Sequence, residues 1–489
     1  MIRSRSALAL LAATALAGCN LAPKYVRPEG AVPAVLPQDG IYPPATSDAP
    51  DVTSIGWQSF FTDDRLRRSI ALGLKNNRDL RIAAANVLQA RAHYRVQRAD
   101  LVPSTTLSGS ASYTSNIQGA SGALGGGAGA SAGGAGSGTG VGASSRDVEF
   151  YSINAGFSAF ELDLFGRLRN LNRAALEQYF ATEEAQRATR ISLIAEIATA
   201  WLTYAADQDQ LRISQEYMIS FEKSLELTRA QFRIGIASEL EARQAETAYQ
   251  GARNDIAVLK TRVAQDKNAL DLLVGAPVLD ALLPQGLGSG TAALPLLPAG
   301  LSSDILLRRP DILQAEHQLV AQNANIGAAR AALFPRISLT ATLGTISAAL
   351  GGLFAGGGFT YTGAPSISLP LFDGGRLRGN LDAARAGQQV AVSSYEKTVQ
   401  TAFREVADAL AQRGTIDEQL AAQTARVEAA NVALRISDAR YRSGVESFLT
   451  TLDSQRTSYS AQQQLITTRL MRESNMVELY RSLGGGLIS

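Results

Sequence analysis

One stretch of this sequence occurs twice, at an offset of 209 residues. The first copy is Gln231-Phe232-Arg233-Ile234-Gly235-Ile236-Ala237-Ser238, and the second is Arg440-Tyr441-Arg442-Ser443-Gly444-Val445-Glu446-Ser447. The shared glycine suits the end of a helix, because glycine tolerates a positive φ, and the shared serine suits the N-cap of a following helix. The stretch therefore predicts two equivalent helix-to-helix turns, the first tip and the second tip, at one working end of the molecule.

The duplication extends well beyond the tips. Gly166-Arg167-Leu168-Arg169 recurs as Gly375-Arg376-Leu377-Arg378 at the same offset, whereas residues 98–103 recur as 330–335 at an offset of 232. The first half therefore carries 23 additional residues between Pro103 and Gly166. That interval contains residues 121–142, which are nearly all Gly, Ala, Ser and Thr and predict a flexible loop. Each half predicts the order helix, strand, loop, strand, long helix, tip, long helix.

Four segments alternate apolar and small polar residues, namely 107–114, 151–158, 337–343 and 366–371. A period of two predicts half-buried strands. The polar positions are small and uncharged, which is typical of a barrel lumen, and the apolar positions suit contact with lipid. Four strands are too few to close a transmembrane barrel, which needs about eight, and open strand edges are forbidden in lipid. Several chains must therefore share one barrel, and closure alone allows a dimer or a trimer.

Composition excludes several other classes of protein. The formal net charge of +2 gives no electrostatic case for nucleic acid, and no apolar run after the N-terminus is long enough for a transmembrane helix. The single cysteine excludes an intrachain disulfide. His93 and His317 lack the spacing of metal ligands. With no phosphate-binding loop, paired carboxylates or Ser-His-Asp pattern, the sequence predicts a protein that is not an enzyme and holds no metal or cofactor.

The N-terminus predicts a secreted lipoprotein. Residues 1–18 place Arg3 and Arg5 before an apolar run, which is typical of a signal peptide and too short to span a bilayer. Leu16-Ala17-Gly18-Cys19 resembles a bacterial lipobox, which implies cleavage before Cys19 and a covalent lipid on it. Asn20 stands where an aspartate would favour retention in the inner membrane. Residues 21–50 are rich in proline and predict extended chain.

Motifs along most of the chain resemble the outer-membrane efflux lipoproteins of the NodT/OprM type, which have the TolC fold. The most specific of them is Leu307-Arg308-Arg309-Pro310-Asp311-Ile312. One departure is Ser302, where the family usually has proline, and the Gly-rich insert is another. The other matching motifs are residues 18–23 with 25–28, Trp57 with Phe60-Phe61, 298–304, Phe334-Pro335-Arg336-Ile337-Ser338-Leu339, Leu371-Phe372-Asp373-Gly374-Gly375-Arg376, and Leu479-Tyr480 with 483–486.

The resemblance implies a mixed α and β membrane protein. It would be a TolC-like homotrimer with a shared twelve-stranded transmembrane β-barrel, four strands per chain, and a long periplasmic α-helical barrel. The chain divides into a signal peptide (1–18), a lipidated extended segment (19–56), a first repeat (57–275, with a β-hairpin at about 101–165 and a tip at about 222–238), an equatorial linker (276–303) and a second repeat (304–489, with a β-hairpin at about 335–374 and a tip at about 430–447).

The function that the resemblance implies is a passive exit duct in the cell outer membrane, lipid-anchored and extending into the periplasm. It would receive drugs or other small molecules from an inner-membrane pump of the resistance-nodulation-division class through a periplasmic adaptor. Two alternatives stay open: the exit duct of a type I protein-secretion system, and a structural trimeric lipoprotein that acts as a spacer. The sequence does not name the transported molecule, the pump or the adaptor.

The resemblance also implies a periplasmic gate on the second tip. Leu449 and Asp453 are four residues apart and share one helix face, and the matching family residues project into the entrance. Three such aspartates repel one another unless cations neutralise them, which Arg442 or Arg456 would do through hydrogen-bonded pairs. The alternative is an ordinary solvated pair of Asp453 with Arg456. Contacts with the adaptor are expected at the tips, at Arg233, Gly235, Ser238, Gly444 and Ser447.

The lipid on Cys19 should be secondary to the barrel for membrane insertion, because apolar strand faces already favour lipid. We expect Cys19→Ser to lose incorporation of labelled palmitate while folded protein still inserts into the outer membrane. The measurement is palmitate labelling beside membrane fractionation, with the wild type as control. Label that persists on the serine variant would contradict the assignment.

Overall fold

The structure, a computed structural model, describes residues 20–38, 40–43, 56–114, 148–288, 302–356 and 358–485. The predicted signal peptide, Cys19, the Gly-rich insert and part of the predicted linker lie outside these residues. Contacts divide the chain into two compact units. The sheet unit comprises Met1–Lys24, Ala92–Ala175 and Gln322–Gly387, and the helical unit comprises Tyr25–Arg91, Leu176–Ala321 and Gln388–Ser489.

The duplication seen in the sequence recurs in the helices. Each repeat has one helix of 67 residues that begins at the repeated Arg-Leu-Arg, followed after the tip by a helix of 36 or 35 residues. In the described part of the chain, no helix combines the length and apolar character needed to cross a membrane. The described helices are α1 Trp57–Phe60, α2 Asp64–Asn76, α3 Arg78–Ala99, α4 Arg167–Arg233, α5 Glu239–Val274, α6 Pro310–Ala331, α7 Arg376–Arg442 and α8 Phe448–Ser482.

The sheet unit holds four antiparallel strands in the order β1-β2-β3-β4. They are β1 Thr106–Thr114, β2 Val148–Glu161, β3 Arg336–Ser347 and β4 Phe359–Ser368. Pairing places hydroxyls opposite hydroxyls, since Ser110 Oγ lies 2.8 Å from Ser152 Oγ and Ser338 Oγ lies 2.7 Å from Ser366 Oγ. The predicted mixed α and β chain with four alternating strands is therefore confirmed.

The fourth strand lies earlier in the chain than the alternation predicted. β4 ends at Ser368, so Leu369 and Leu371 lie beyond it. Ser368 already pairs with Arg336, the first residue of β3, so the ladder has no partner residue beyond it, and Pro370 has no backbone N–H with which to extend it. A second irregularity is a bulge in β2 between Phe157 and Phe160, where Ala159 has a φ of 52°. Neither feature follows from a period of two.

An aromatic core joins the start of the helical unit to its end. Phe60 stacks on Tyr480 with ring centroids 4.5 Å apart, and Phe61 meets Phe60 edge to face. Trp201 of α4 is buried beside them and donates its indole N–H to the carbonyl of Leu282 at 3.0 Å. Burying aromatic rings of this size contributes much of the stability of a core, and the hydrogen bond satisfies the indole N–H. The motif Trp57 with Phe60-Phe61 thus anchors α1 to the repeats.

The described part of the N-terminal segment contains no helix and contacts both repeats. In the sheet unit, Asn20 accepts a hydrogen bond from Asn170 at 3.0 Å. In the helical unit, Arg27 forms a two-bonded ion pair with Glu316 at 2.8 and 2.9 Å. Leu36 is 4% exposed and packs in the core that contains Ile312. The segment therefore has no helix of its own, but it adds an apolar side chain to the core and an ion pair to the surface of the helical unit.

Arg309, in the most specific sequence motif, ties the start of α6 to the end of α8. Its guanidinium is buried and donates to the carbonyl of Ser482 at 2.6 Å, to both carboxylate oxygens of Asp311, and to Glu405 at 2.9 Å. The Ser482 carbonyl is one of those that a helix leaves without an intrahelical partner at its C-terminus. Arg309 therefore caps α8 and joins it to α6 and α7.

Removing this guanidinium should destabilise the helical unit. Arg309→Met keeps an unbranched side chain but leaves two carboxylates and a buried carbonyl without their partner, which costs about 3 kcal/mol. We expect a clearly lower apparent melting temperature of the purified protein in detergent. Arg308→Met removes an exposed charge next to it and is the matched control, with an expected effect below about 0.5 kcal/mol. Equal melting temperatures for the two variants would contradict this role.

Candidate functional site: the two helical tips

The first tip closes α4 and opens α5 through paired backbone and side-chain bonds. Gly235 has a φ of 78°, and Ile236 N–H donates back to the carbonyl of Gln231 at 2.9 Å. Ser238 then caps α5: its hydroxyl accepts from Glu241 N–H, and the Glu241 carboxylate accepts from Ser238 N–H at 2.7 Å. This reciprocal capping box fixes the angle at which α5 leaves the turn. The predicted roles of the glycine and the serine in the turn are confirmed.

The second tip repeats this geometry between α7 and α8. Gly444 has a φ of 76°, and Val445 N–H donates to the carbonyl of Arg440 at 3.0 Å. Ser447 is the N-cap of α8 and accepts from Thr450 N–H at 3.4 Å. Arg440 also forms an ion pair with Glu446 across the turn at 3.1 Å. The two tips therefore share one backbone design and differ in their side chains.

Direct hydrogen bonds join the two tips. Tyr441, just before the second turn, donates its hydroxyl to Gln231 Oε1, just before the first turn, at 2.6 Å. Burial raises the pKa of Tyr441 above its ordinary value, so the phenol stays protonated and able to donate. Arg456 of α8 donates to the backbone carbonyl of Gln244 in α5 at 3.4 Å. The two tips are thus held side by side within one chain.

Behind the tips, a layer of polar side chains connects the four long helices. Tyr217 of α4 shares a hydrogen bond of 2.5 Å with Ser458 of α8, which in turn donates to Asn431 of α7 at 2.6 Å. Tyr459 donates to Asp255 of α5 at 2.9 Å, and burial raises its pKa to about 12. Polar groups in such a layer are costly to separate, because each one loses its partner when the helices part.

Both tips expose apolar side chains beside charged ones. Ile234 and Ile236 of the first tip are 71% and 73% exposed, and Val445 of the second is 67% exposed. A Cβ added at Gly235 or Gly444 would meet no atom within 4 Å. Exposed apolar residues grouped at one end of a protein mark an interaction surface. Arg233, predicted to contact the adaptor, is also exposed, and among the described residues it makes no ion pair.

The predicted gate residues lie at the start of α8 and at the second tip. Leu449 and Asp453 are exposed, one helical turn apart. Among the described residues of the chain, Asp453 pairs with neither predicted arginine: Arg442 binds Asp438 at 2.9 Å, and Arg456 binds the carbonyl of Gln244. The solvated pair of Asp453 with Arg456 is likewise not formed. The gate assignment stays a prediction, and none of the described residues supplies the cation that would neutralise Asp453.

A recess of ≈ 560 Å³ opens beside the second tip, between the ends of α4 and α7 and the start of α8. Its lining includes Lys223, Leu227, Arg435, Tyr441 and Gln455.

In the described parts of the chain, no three His, Cys, Asp or Glu side chains are placed to hold a metal ion. His317 Nδ1 instead shares a hydrogen bond of 2.7 Å with Glu177 Oε2.

Sequence reasoning missed the partners that hold the tips together. Tyr441 was part of the recognised repeat, but its bond to Gln231 joins residues 210 positions apart and leaves no periodic signal. The available clue was that the aromatic residue recurs at the same place in both copies, as Phe232 and Tyr441, with a hydroxyl only in the second. A hydroxyl added at one copy of a repeat is a reason to look for a hydrogen-bond partner there.

Sequence comparison finds proteins that are similar to this chain over nearly its whole length. Residues 70–276 and 301–485 match the family described as outer membrane efflux protein. The chain is 45% identical over 478 residues to the toluene efflux pump outer membrane protein TtgC of Pseudomonas putida, covering 97% of this chain and 95% of that protein. It is 38% identical over 479 residues to the cation efflux system protein CusC of Escherichia coli O157:H7, covering 97% of each.

Solved structures of outer-membrane channels have the same fold as this chain. A crystal structure of CusC matches with a TM-score of 0.82 and 37% identity, covering 96% of this chain and 100% of that one. The open state of the MtrE outer membrane channel of Neisseria gonorrhoeae matches with a TM-score of 0.82 and 34% identity, covering 96% and 99%. Agreement at this level over 96% of the chain shows that the chain has the same fold as these channels.

Proposed function

Because the chain belongs to the outer membrane efflux protein family, we propose that it is the outer-membrane channel of a tripartite efflux system. The observation that carries this proposal is full-length similarity to proteins named as outer membrane components of efflux pumps, at 45% identity over 97% of the chain. The overall fold also matches that of solved outer-membrane channels over 96% of the chain, with a TM-score of 0.82.

The proposed channel is passive, and its energy comes from partners. An inner-membrane pump of the resistance-nodulation-division class would load the molecules, and a periplasmic adaptor would connect the pump to the tips. The exposed apolar side chains of the tips support a protein partner at that end. The polar layer behind the tips supports a mechanical role, because docking that shifts one helix is transmitted to the other three.

The proposed assembly is a homotrimer that shares one twelve-stranded barrel, anchored in addition by lipid on Cys19. Each chain contributes four strands with two open edges, which lipid does not tolerate. The cargo is a small molecule: relatives carry names that refer to toluene, solvents, antibiotics and cations. A type I protein-secretion duct is the second candidate function, favoured only by the shared channel architecture, and a structural spacer would conduct nothing.

Export by intact cells tests the function. Cells that lack the chain but keep its pump and adaptor should accumulate a small-molecule substrate, and the wild-type chain should restore export. Purified chain in planar bilayers should form ion-conducting channels. Restored secretion of a protein without small-molecule export would favour the secretion duct, and the lack of any conductance would favour the spacer.

Bulk placed at a tip should block adaptor docking without unfolding the chain. Gly444→Trp meets no atom of its own chain near the Cβ, so its main intrinsic cost is about 1–2 kcal/mol for a positive φ. We expect export to fall to the level of the deletion strain at unchanged amounts of protein in the outer membrane. Gly444→Asn tolerates the left-handed conformation and is the matched control, which should export normally. Normal export by the tryptophan variant would place the adaptor elsewhere.

The proposed resting gate is a ring of Leu449 above a ring of Asp453. Around a three-fold axis, three leucines would form a dry constriction that hinders hydrated ions. Three aspartates close together repel one another, and each is exposed within its own chain and unpaired among the described residues. Neutralisation must then come from a neighbouring copy or from cations in solution. The equivalent positions of the first repeat are Leu240 and Gln244, which carry no charge.

Opening this gate should require no pump. Leu449→Ala with Asp453→Ala should raise resting conductance several-fold in planar bilayers and should sensitise cells to large hydrophilic antibiotics. The matched control is Leu240→Ala with Gln244→Ala, which makes the same truncation at the first tip and should leave conductance near the wild type. If the double variant conducts like the wild type over a range of salt concentrations, the gate lies elsewhere.

A further inference from the structure

In the second repeat, two arginines neutralise a carboxylate beside the end of α8. Glu405 of α7 pairs with Arg309 at 2.9 Å and with Arg481 at 3.4 Å. Arg309 also pairs with Asp311 and donates to the carbonyl of Ser482, the last residue of α8. Both carboxylates and the carbonyl at the helix end therefore have a cationic partner.

The duplication identifies the same junction in the first repeat, where α3, α4 and α5 correspond to α6, α7 and α8. Its two carboxylates and its carbonyl at the helix end are all present, at the two offsets of the repeat. The corresponding groups are Glu196 for Glu405, Asp79 for Asp311, and the carbonyl of Leu273 for that of Ser482.

Neither arginine is present in the first repeat. Asn77 stands at the position of Arg309, and Leu272 stands at that of Arg481. Asn77 reproduces one bond of the arginine, because its amide donates to the carbonyl of Leu273 at 2.8 Å, but it carries no charge. The first repeat therefore has the carboxylates of this junction without their cations.

Glu196 forms no hydrogen bond or ion pair with any residue that the structure describes. Partial burial raises the pKa of Glu196 above its ordinary value, the charge of Asp79 raises it further, and Arg481 lowers it by less. Arg481 is already engaged with Glu478 at 2.5 Å and with Glu405. A raised carboxyl pKa shows that the surroundings stabilise the negative charge less than water does.

Glu196 is exposed on the wall of a recess of ≈ 520 Å³ between α4, α5 and α8. A recess of this volume accommodates a drug-sized molecule. Apolar side chains share the wall, among them Ala200, Ala269 and Leu273. Among the described residues that line the recess, three are carboxylic acids and Arg481 is the only cation. The recess is therefore short of positive charge.

A second carboxyl, that of Asp266, adds to the negative charge of the recess. Burial raises its pKa to about 6, with a further contribution from the adjacent carboxylate of Asp207 and an opposing one from Arg262. Two adjacent carboxyls share one proton more easily than they carry two negative charges. Ile416 and Asn475 stand at the corresponding positions of the second repeat and carry no charge. The additional carboxyls thus belong to the first repeat alone.

We propose that this recess binds organic cations, with a guanidinium or ammonium group at Glu196 and an apolar body against α5. Such a group would supply at Glu196 the positive charge that the two arginines supply at Glu405. Hydrogen bonds between a cation and a carboxylate are strong, and the open recess lets the molecule leave again, as passage through a channel requires. The proposal names a class of cargo for the proposed exit duct and rests on that function.

Calorimetric titration of the purified, assembled protein in a non-ionic detergent tests the site. The probes are phenylguanidinium and phenylurea, which have nearly the same shape and differ in charge. We expect the wild type to bind phenylguanidinium at least about tenfold more tightly than phenylurea, since charge strengthens a hydrogen bond to a carboxylate. Glu196→Gln should abolish most of this preference, because it removes the charge at nearly constant shape. Glu428→Gln, at an exposed carboxylate outside the recess, is the matched control and should bind like the wild type.

A cation built into the chain should compete with the probe. Thr199→Lys places an ammonium group in the recess, one helical turn from Glu196, and should abolish binding of phenylguanidinium. Thr199→Met adds a side chain of similar length without charge and should weaken binding far less. Asn77→Arg restores the arginine of the second repeat and should likewise abolish binding, in protein that still forms channels.

Equal affinity of the wild type and Glu196→Gln for phenylguanidinium would overturn the site, and so would equal loss of binding in the lysine and methionine variants. Failure of the assembled wild type to bind either probe would do the same, because a side chain of a neighbouring copy would then fill the recess. Export and conductance by that protein would leave the proposed function standing, whereas the lack of both would overturn the site together with the function.

Discussion

An unpaired strand edge cannot lie in lipid, and the arrangement proposed for the four strands depends on that constraint. Each backbone N–H or C=O left without a partner in hydrocarbon costs several kcal/mol, so a sheet with two open edges needs neighbours on both sides. In the proposed trimer neighbouring copies would meet this need, because each copy offers the same two strand edges. Small uncharged residues on one face and apolar residues on the other let the same strands border water and lipid.

The tips obey a different constraint: the backbone N–H and C=O groups at the helix ends need hydrogen-bond partners. Left-handed glycines and serine caps close each turn from within the chain, so neither tip needs a partner to hold its shape. Bonds such as that of Tyr441 with Gln231 then hold the tips together. The exposed apolar residues of the tips do not pack within the chain and are therefore available to bind another protein. A rigid, preorganised surface of this kind loses little entropy on binding.

Local sequence patterns predicted most of the helices, strands and turns, but they did not predict contacts between residues far apart in the sequence. Alternation located the strands and the Gly-to-Ser spacing located both tips, because period, caps and turns depend on neighbours in sequence. The end of β4 at Ser368 was missed because the alternation does not show where the partner strand begins. The bonds of Arg309 to Glu405 and Ser482 join residues 96 and 173 positions apart. The motif around Arg309 was recognised as specific, but only the folded chain reveals that it caps α8.

The two repeats share a backbone and differ in what covers their first long helix, α3 in the first repeat and α6 in the second. In the second repeat, Ile312 and Leu319 of α6 are buried in a core that includes Leu36 of the N-terminal segment. The corresponding helix of the first repeat, α3, has no buried residue, and its Ile82 and Leu88 are 57% and 66% exposed. Among the described residues, no second segment covers α3 in the way that the N-terminal segment covers α6. In the proposed trimer a neighbouring copy covers it, so the helices need the same partner as the open strand edges. A single ring of copies, as in the proposed trimer, would then cover both the exposed face of α3 and the open strand edges.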